Sequence, residues 1–533
     1  MKLARWFILL AMLVVVGVQR VHGQPLDGPT NRNVKLTSTN LPIVWLTVPS
    51  TVNHDKRVTA RMKIIDNGAG QYNYTDTVAH AGQHVDYDGY IGLRYRGHSS
   101  YAYSLKKPYS FRPLDRPLES GGSWKKASLL GMPRDSHWAL LAPFNDKSMM
   151  RDLLAFEIAR PWMDYVPQGR YCEVIVNGIY YGVFILCEVV SKGKNRLDLD
   201  DPGTTGDALT GGYMVEVERD DEVNFVSRFF PVRRDGSVIN WRRIHFKYKI
   251  PDYEDLSPAQ LDYIHGAVDR MEAALADYSY RNAVTGECDY IDEMSFIDYQ
   301  LIIELGHNVD GYRLSGKCYK HRDSQDPRFK MALWDMNLAF GNANYNEGWR
   351  TDTWIYQMND VLVREGHSDM VPFWWYKLNK DKKYVKHLKE RWAQYRQSTL
   401  RQDRLMAIVD SLAHVLTVAA AESRNSRAYP YWGQEVWPNY YIAKDFGDEV
   451  AYLKRWLINR IAWMDSQLDY VAPLSGDLDG DGEVTVGDVN VLINILMNGA
   501  ADDVIRAKAD VNGDGEISVS DINAIIDMII AAS

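Results

Sequence analysis

Alternating apolar and polar positions dominate the first half of the chain. Ile43–Val48 and Tyr90–Arg96 are short runs rich in β-branched and aromatic residues, bounded by turn formers, and read as strands. Tyr171–Val176 and Gly182–Glu188 flank Asn177-Gly178, a strong two-residue hairpin signal, and this turn predicts a hairpin that pairs Cys172 with Val183. Gly212–Glu218 is a further strand. From about Pro258 the spacing becomes helical: Ala259–Tyr278, Met294–Gly306, Trp374–Val418 and Asp448–Tyr470 are amphipathic stretches, with the lysine-rich run 377–389 forming a solvated face. A β-rich first half and a helical second half predict an α+β domain, with two lobes about a cleft.

The ends of the chain follow other patterns. Lys2 and Arg5 precede an apolar run, Trp6–Val18, and small residues follow around Val21-His22-Gly23, so 1–23 reads as a cleaved secretory signal. The run is shorter than the ~20 residues a membrane span needs, and no second long apolar stretch occurs. A secreted, extracytoplasmic chain without a membrane span is expected. Residues 24–40 are polar and predicted to be flexible; 41–472 form the large domain and 473–533 a separate C-terminal module.

Composition narrows the picture. A chain of 533 residues, 46% hydrophobic and 25% charged, is an ordinary globular mixture long enough for more than one folding unit. A net charge of -9 gives no reason to expect a nucleic-acid partner. Four cysteines in this length make no disulfide framework. In the predicted hairpin, Cys172 and Cys187 share a face but lie ~13 Å apart along the strands, too far to bridge, and read as buried thiols.

The clearest chemistry lies at the C-terminus. In the twelve residues from Asp477 to Asp488, Asp477, Asp479 and Asp481 occupy positions one, three and five, Gly482 the sharp turn at six, Glu483 offers its carbonyl at seven, and Asp488 closes the loop. Hard calcium ions take oxygen ligands in this arrangement. The pattern repeats at Asp510, Asn512, Asp514, Gly515, Glu516 and Asp521, which predicts two calcium sites. Each loop runs into an apolar helix, carrying Val489, Leu492, Ile493 and Leu496 in one case and Ile522, Ile525, Ile526 and Ile529 in the other. Crowded carboxylates repel without metal, so calcium should be coupled to folding. Pro473-Leu-Ser-Gly476 leaves no room for an entering helix. A duplicated loop with an exit helix only, closed by Asp, resembles a type I dockerin, across about 476–531. The resemblance implies docking onto a cohesin-bearing scaffold protein, with partner choice near Val486-Gly487 and Val519-Ser520.

The large domain carries a second set of ordered motifs. Arg94-Tyr-Arg-Gly-His-Ser-Ser100 precedes Lys106-Lys-Pro-Tyr109. Trp138-Ala-Leu-Leu-Ala leads to Asp146-Lys-Ser and Arg151-Asp-Leu-Leu-Ala-Phe-Glu157. Glu173–Glu188 forms the hairpin, followed by Asn308-Val-Asp310 and Trp334-Asp-Met-Asn-Leu-Ala-Phe-Gly341. In this order they resemble the CotH family of kinase-like proteins over roughly 41–470. The resemblance implies a kinase-like fold, with ATP and magnesium as cofactors. It implies Asp310 as the catalytic aspartate that orients or deprotonates the acceptor hydroxyl and Asp335 as both catalytic and magnesium-binding, with Asn337 as a second magnesium ligand. Arg96, Ser99 and Ser100 would form a turn over the phosphates. Lys107, or Lys106, would touch phosphate oxygens, paired with Glu188, for which Glu216 is a rival. His98 stands where the family has Asn, Asn337 where it has a second Asp, and Ser315 near an expected Asn ligand. No GxxxxGK[ST], HExxH or GxSxG motif occurs. The leading expectation is a secreted kinase transferring phosphate from a nucleotide to a protein or other hydroxyl acceptor. The alternatives are a non-catalytic structural component, or a carbohydrate-active hydrolase, of a polysaccharide-degrading assembly.

Overall fold

The computed structural model describes residues 28–49, 51–499 and 508–532; the expected leader lies outside them. The stretch expected to be flexible is, from residue 28, packed chain. Val34 and Leu36 are buried with Ile43, Ile175 and Tyr429, and Ser38–Thr39 pairs with Asn73–Tyr74. The amide of Gly28 donates to Leu105 O (2.9 Å) and that of Asn31 to Ala428 O (3.1 Å). Alternating Val34 and Leu36 give this polar-looking segment an apolar face to bury.

Seven strands close into a barrel, in the order Gly169–Val176, Ile179–Glu188, Trp138–Leu141, Tyr109–Leu114, Val85–Tyr95, Val58–Ile65 and Ile43–Thr47. The seam is a parallel pairing that sets Glu173 opposite Ile43. Leu46, Ile91, Leu93, Phe111, Trp138 and Leu140 pack within one buried cluster of the barrel. The hairpin turn forms at Asn177 and Gly178, both at positive φ (47° and 80°), as a two-residue turn between right-twisted strands requires. A bulge at Val174/Ile175 then shifts the register, so Cys172 lies opposite Phe184 rather than Val183. One residue of slip turns the side chains over: Cys172 packs with the barrel cluster, Cys187 on the opposite face with the main core. All four cysteines are buried and free.

A distant helix, Ala421–Ala428, packs against the barrel wall at strand Ile179–Glu188. Arg424 pairs with the fully buried Glu173 (2.6 Å), and Asn425 Oδ1 accepts from the Nζ of Lys106 (2.9 Å).

A second, five-stranded antiparallel sheet runs Phe225–Val226, His245–Ile250, Tyr213–Glu218, Gly316–Lys320, Phe329–Ala332. Its last two strands fall in the half expected to be helical. Between them and the preceding strands lie helices Pro258–Asp277, opened by a Ser257/Gln260 capping box, and Glu293–Gly306. The expected helix over 374–418 breaks into Phe373–Leu378, Lys382–Arg396 and Gln402–Val418, because Asp381 caps the amides of Lys383 and Tyr384 (2.8 and 3.4 Å) and restarts the turn. The helix Phe446–Gln467 packs its Arg460 against Glu304 (3.3 Å) in the core. Among the described residues no single helix is long and apolar enough to cross a membrane. At the C-terminus, helices Val486–Asn498 and Val519–Ala532 close on Leu492, Ala509 and Ile525.

Candidate active site and calcium loops

A small open cleft lies where the end of the barrel strand Val85–Tyr95 meets the segment Trp334–Asn337. Arg96, Gly97 and Ser100 line one side, Asp152 and Phe156 another, and Trp334, Asp335 and Asn337 a third. The chain turns at Gly97 (φ +79°), where a Cβ would stand 2.1 Å from Ser100 Oγ; only glycine fits. The Arg96 guanidinium lies over the Trp334 ring, 4.7 Å from its centre, and its buried Nη1 has no hydrogen-bond partner in the protein.

Asp335 adopts a left-handed conformation, φ +60°, which costs a residue with a Cβ roughly 1–2 kcal/mol. It is held there by side chains from two other segments. Asn308 Nδ2 donates to Asp335 O (2.9 Å), and Asp152 Oδ1 accepts the next amide, that of Met336 (2.8 Å). Asn308 Oδ1 also accepts the amide of Asp310 (3.2 Å). A single asparagine therefore ties the chain at Asp310 to the chain at Asp335. Asp310 is steadied by Arg313 (2.8 Å), and Asn337 Nδ2 donates to Asp335 Oδ1.

The electrostatics show how close these groups are. Burial pushes the Asp335 carboxyl up; Arg96 and Lys317 pull it down, and Asp310 pushes it up again. Solvent still reaches Asp335 through the cleft mouth. Burial, reinforced by Asp335, raises Asp152 to about 7 against the pull of the Met336 amide. Burial lowers Lys317 to about 7, opposed by Asp335. Burial likewise lowers Arg96, with Asp335 as the strongest opposing charge.

The structure thus gathers Arg96, Ser100, Asp335 and Asn337 on one cleft, with Asp310 tied beside it. Ser99 sits half-buried in the short helix Ser99–Ala102, outside the cleft lining. The expected pairing of Lys107 with Glu188 does not form. Lys107 Nζ donates to Tyr101 O, while Glu188 is paired with Arg196 (3.3 Å) and accepts the Gln168 amide (2.9 Å). Lys106 is buried between Val183 O and Asn425. The buried lysine–glutamate pair stands elsewhere. Lys317 and Glu216 face each other across the second sheet and form an ion pair, with Lys249 also on Glu216 (2.9 Å). Sequence reasoning named Glu216 and missed Lys317, whose only signal is its place in an alternating strand. It also missed Asp152 and Asn145.

In the first calcium loop, Asp477, Asp479 and Asp481 bring their carboxylate oxygens within 4.8 Å of one another, forming the one group of three or more potential metal-ligating acids, histidines or cysteines among the described residues. In the second, one buried oxygen of Asp510 (Oδ1) has no partner while the other accepts Gly515 N (3.0 Å); Asn512 and Asp514 flank it. An orphaned buried carboxylate oxygen fits a hard cation. The closing residues Asp488 and Asp521 are fully buried. Asp488 takes the amides of Leu478, Asp479 and Thr485 (2.6, 3.1 and 2.7 Å); Asp521 takes those of Val511, Asn512 and Ser518 (2.8, 3.1 and 2.8 Å). They brace the loop backbone from beneath. Glu483 and Glu516 each donate their amide to the preceding acid, Asp481 (2.9 Å) and Asp514 (2.8 Å), which sets the turn at position seven. At position ten, Val486 and Val519 stand equally exposed, 65% each.

A kinase-like domain followed by a calcium-loop docking module is the class these features define. Residues 93–464 match the family described as CotH kinase protein, and residues 475–530 match the Dockerin type I domain. The chain belongs to the CotH kinase family and carries a dockerin, a module that binds calcium and a cohesin partner. No curated protein matches the chain.

Proposed function

We propose that the chain is a secreted phosphotransferase, moving a phosphoryl group from a nucleotide to a hydroxyl acceptor while its dockerin tethers it to a cohesin-bearing scaffold. The observation that carries this reading is the Asn308 bridge, which joins the Asp310 and Asp335 backbones beside one cleft. Phosphoryl transfer depends on positioning and charge compensation more than on covalent chemistry. Magnesium, held by Asp335 and the Asn337 amide oxygen, would neutralise phosphate charge when bound. Arg96, with its unpartnered Nη1, suits a phosphate oxygen. The Gly97–Ser100 turn covers the same side of the cleft. Asp310, steadied by Arg313, would accept the proton of the acceptor hydroxyl.

Titrating ATP with magnesium into the purified chain should give saturable binding that Asp335→Ala abolishes. Asp310→Asn should keep that binding and lose transfer of the γ-phosphate, followed by radiolabel. Binding unchanged in Asp335→Ala would overturn the site. Nucleotide binding without transfer to protein or glycan acceptors would instead assign a non-catalytic role, which the neutral Asn337 favours.

A further inference from the structure

Asp152 opens the helix Arg151–Ala159, and its side chain lines the cleft alongside Asp335. The bond from the Met336 amide to Asp152 Oδ1 brings two carboxylates, from segments far apart in the chain, to one cleft. Among the described residues neither has an arginine or lysine within ion-pairing distance; their hydrogen bonds come from Met336 N and Asn337 Nδ2. Several fully buried carboxylates elsewhere have an arginine. Glu173 has Arg424 (2.6 Å), Asp298 has Arg391 (2.8 Å), Glu188 has Arg196 (3.3 Å) and Glu304 has Arg460 (3.3 Å). Two neighbouring carboxylates without a direct ion pair, sharing only the longer-range pull of Arg96, leave room for a ligand that brings positive charge.

A second observation is independent of these acids. Asn145 lines the same cleft, is 8% exposed, and its buried Oδ1 has no partner. Its backbone is fixed, since its carbonyl accepts from Asn342 Nδ2 (3.0 Å) and Asn439 Nδ2 (2.6 Å). An anion would satisfy Arg96 but not this oxygen. Two unpaired carboxylates and an unpaired amide oxygen form an all-oxygen set suited to a hard divalent cation.

We infer that Asp152 is a ligand of the divalent cation held by Asp335, with Asn145 Oδ1 completing the protein's share. The inference rests on the cation site proposed above and adds to it. The charge that neutral Asn337 does not supply comes from the start of the Arg151–Ala159 helix.

The test is manganese binding to the full chain with calcium present at saturation, so that the dockerin loops stay filled, followed by the resonance of free manganese. Asp152→Asn keeps an acceptor for the Met336 amide, and its melting curve checks the fold. It should weaken manganese binding at least about tenfold. Adding Asn337→Asp to that variant returns a second carboxylate to the cleft and should recover most of the affinity. Absence of calcium-independent manganese binding in the unaltered chain would sink the cation site itself. Binding that Asp335→Ala abolishes and Asp152→Asn leaves intact would overturn this inference alone. So would a folded Asp152→Asn protein that Asn337→Asp fails to rescue, since Asp152 would then act only through the Met336 amide.

Discussion

The cleft and the calcium loops both crowd acidic side chains, and they manage the repulsion in opposite ways. In the first loop, Asp477, Asp479 and Asp481 alternate within five residues of sequence and face one another with no protein cation between them. Around the cleft, Asp310 has Arg313 and Asp146 has Arg151 close by in sequence, and Glu216 has two lysines that the sheet brings in from distant segments. The loop waits for its positive charge from solution, whereas the large domain builds most of its own into the core. Local acids can be metal-dependent because only a small module depends on them. Most acids within the large core have fixed counter-ions or hydrogen-bond donors. Asp152 and Asp335, which meet at the cleft without a direct ion pair, are where a cation is expected.

Removing calcium is the sharpest way to separate the two regions. A chelator added to the full chain should strip hydrogen-exchange protection from 475–530 entirely and leave amides of the barrel and second sheet unchanged; loss of protection in both would break the contrast. Next in size is Arg424→Ala. It leaves Glu173 buried without its partner and should cost about 3–5 kcal/mol by denaturant unfolding, with no effect on the calcium loops.

The third concerns Glu272, fully buried and hydrogen-bonded by Ser227 Oγ (2.7 Å) and Trp374 Nε1 (2.8 Å) but facing no cation within ion-pairing distance among the described residues. Burial raises its carboxyl to about 7. The folded state then holds a proton that the unfolded chain releases near pH 4.5. Stability is therefore greatest below that pH and falls as pH rises to 7, by about 3 kcal/mol from this group. Glu272→Gln should flatten that slope in melting curves taken across the window. The smallest effect is expected from Gly97→Ala, which places a Cβ against Ser100 in a left-handed turn. It should cost about 1 kcal/mol of stability and weaken nucleotide binding while calcium uptake stays normal.

The same contrast explains what could be read from the chain alone. The calcium loops are legible because every ligand falls within twelve residues, and spacing alone specifies the site. Asp310 and Asp335 are recognisable only through ordered motifs, since the Asn308 contact that joins them has no local signature. Asp152 looks like any acid in a first helical turn; its meaning comes from an amide nearly two hundred positions away. Lys317 reads as one polar residue of a strand until the sheet register sets it opposite Glu216. Four of the seven barrel strands were legible from alternation, but the bulge at Val174/Ile175 was not, and it alone moved Cys172 and Cys187 to opposite faces.

The helix Ala421–Ala428 has a consequence for how the molecule is made. Glu173 and Lys106 belong to a barrel whose strands are complete by residue 188, yet the groups that cover and satisfy them, Arg424 and Asn425, are synthesised more than two hundred residues later. Until that helix arrives, water must satisfy the acid and the ammonium, and this face of the barrel stays uncovered. The barrel therefore reaches its final form only when most of the polypeptide has left the ribosome, and holding factors have a long interval in which to engage it.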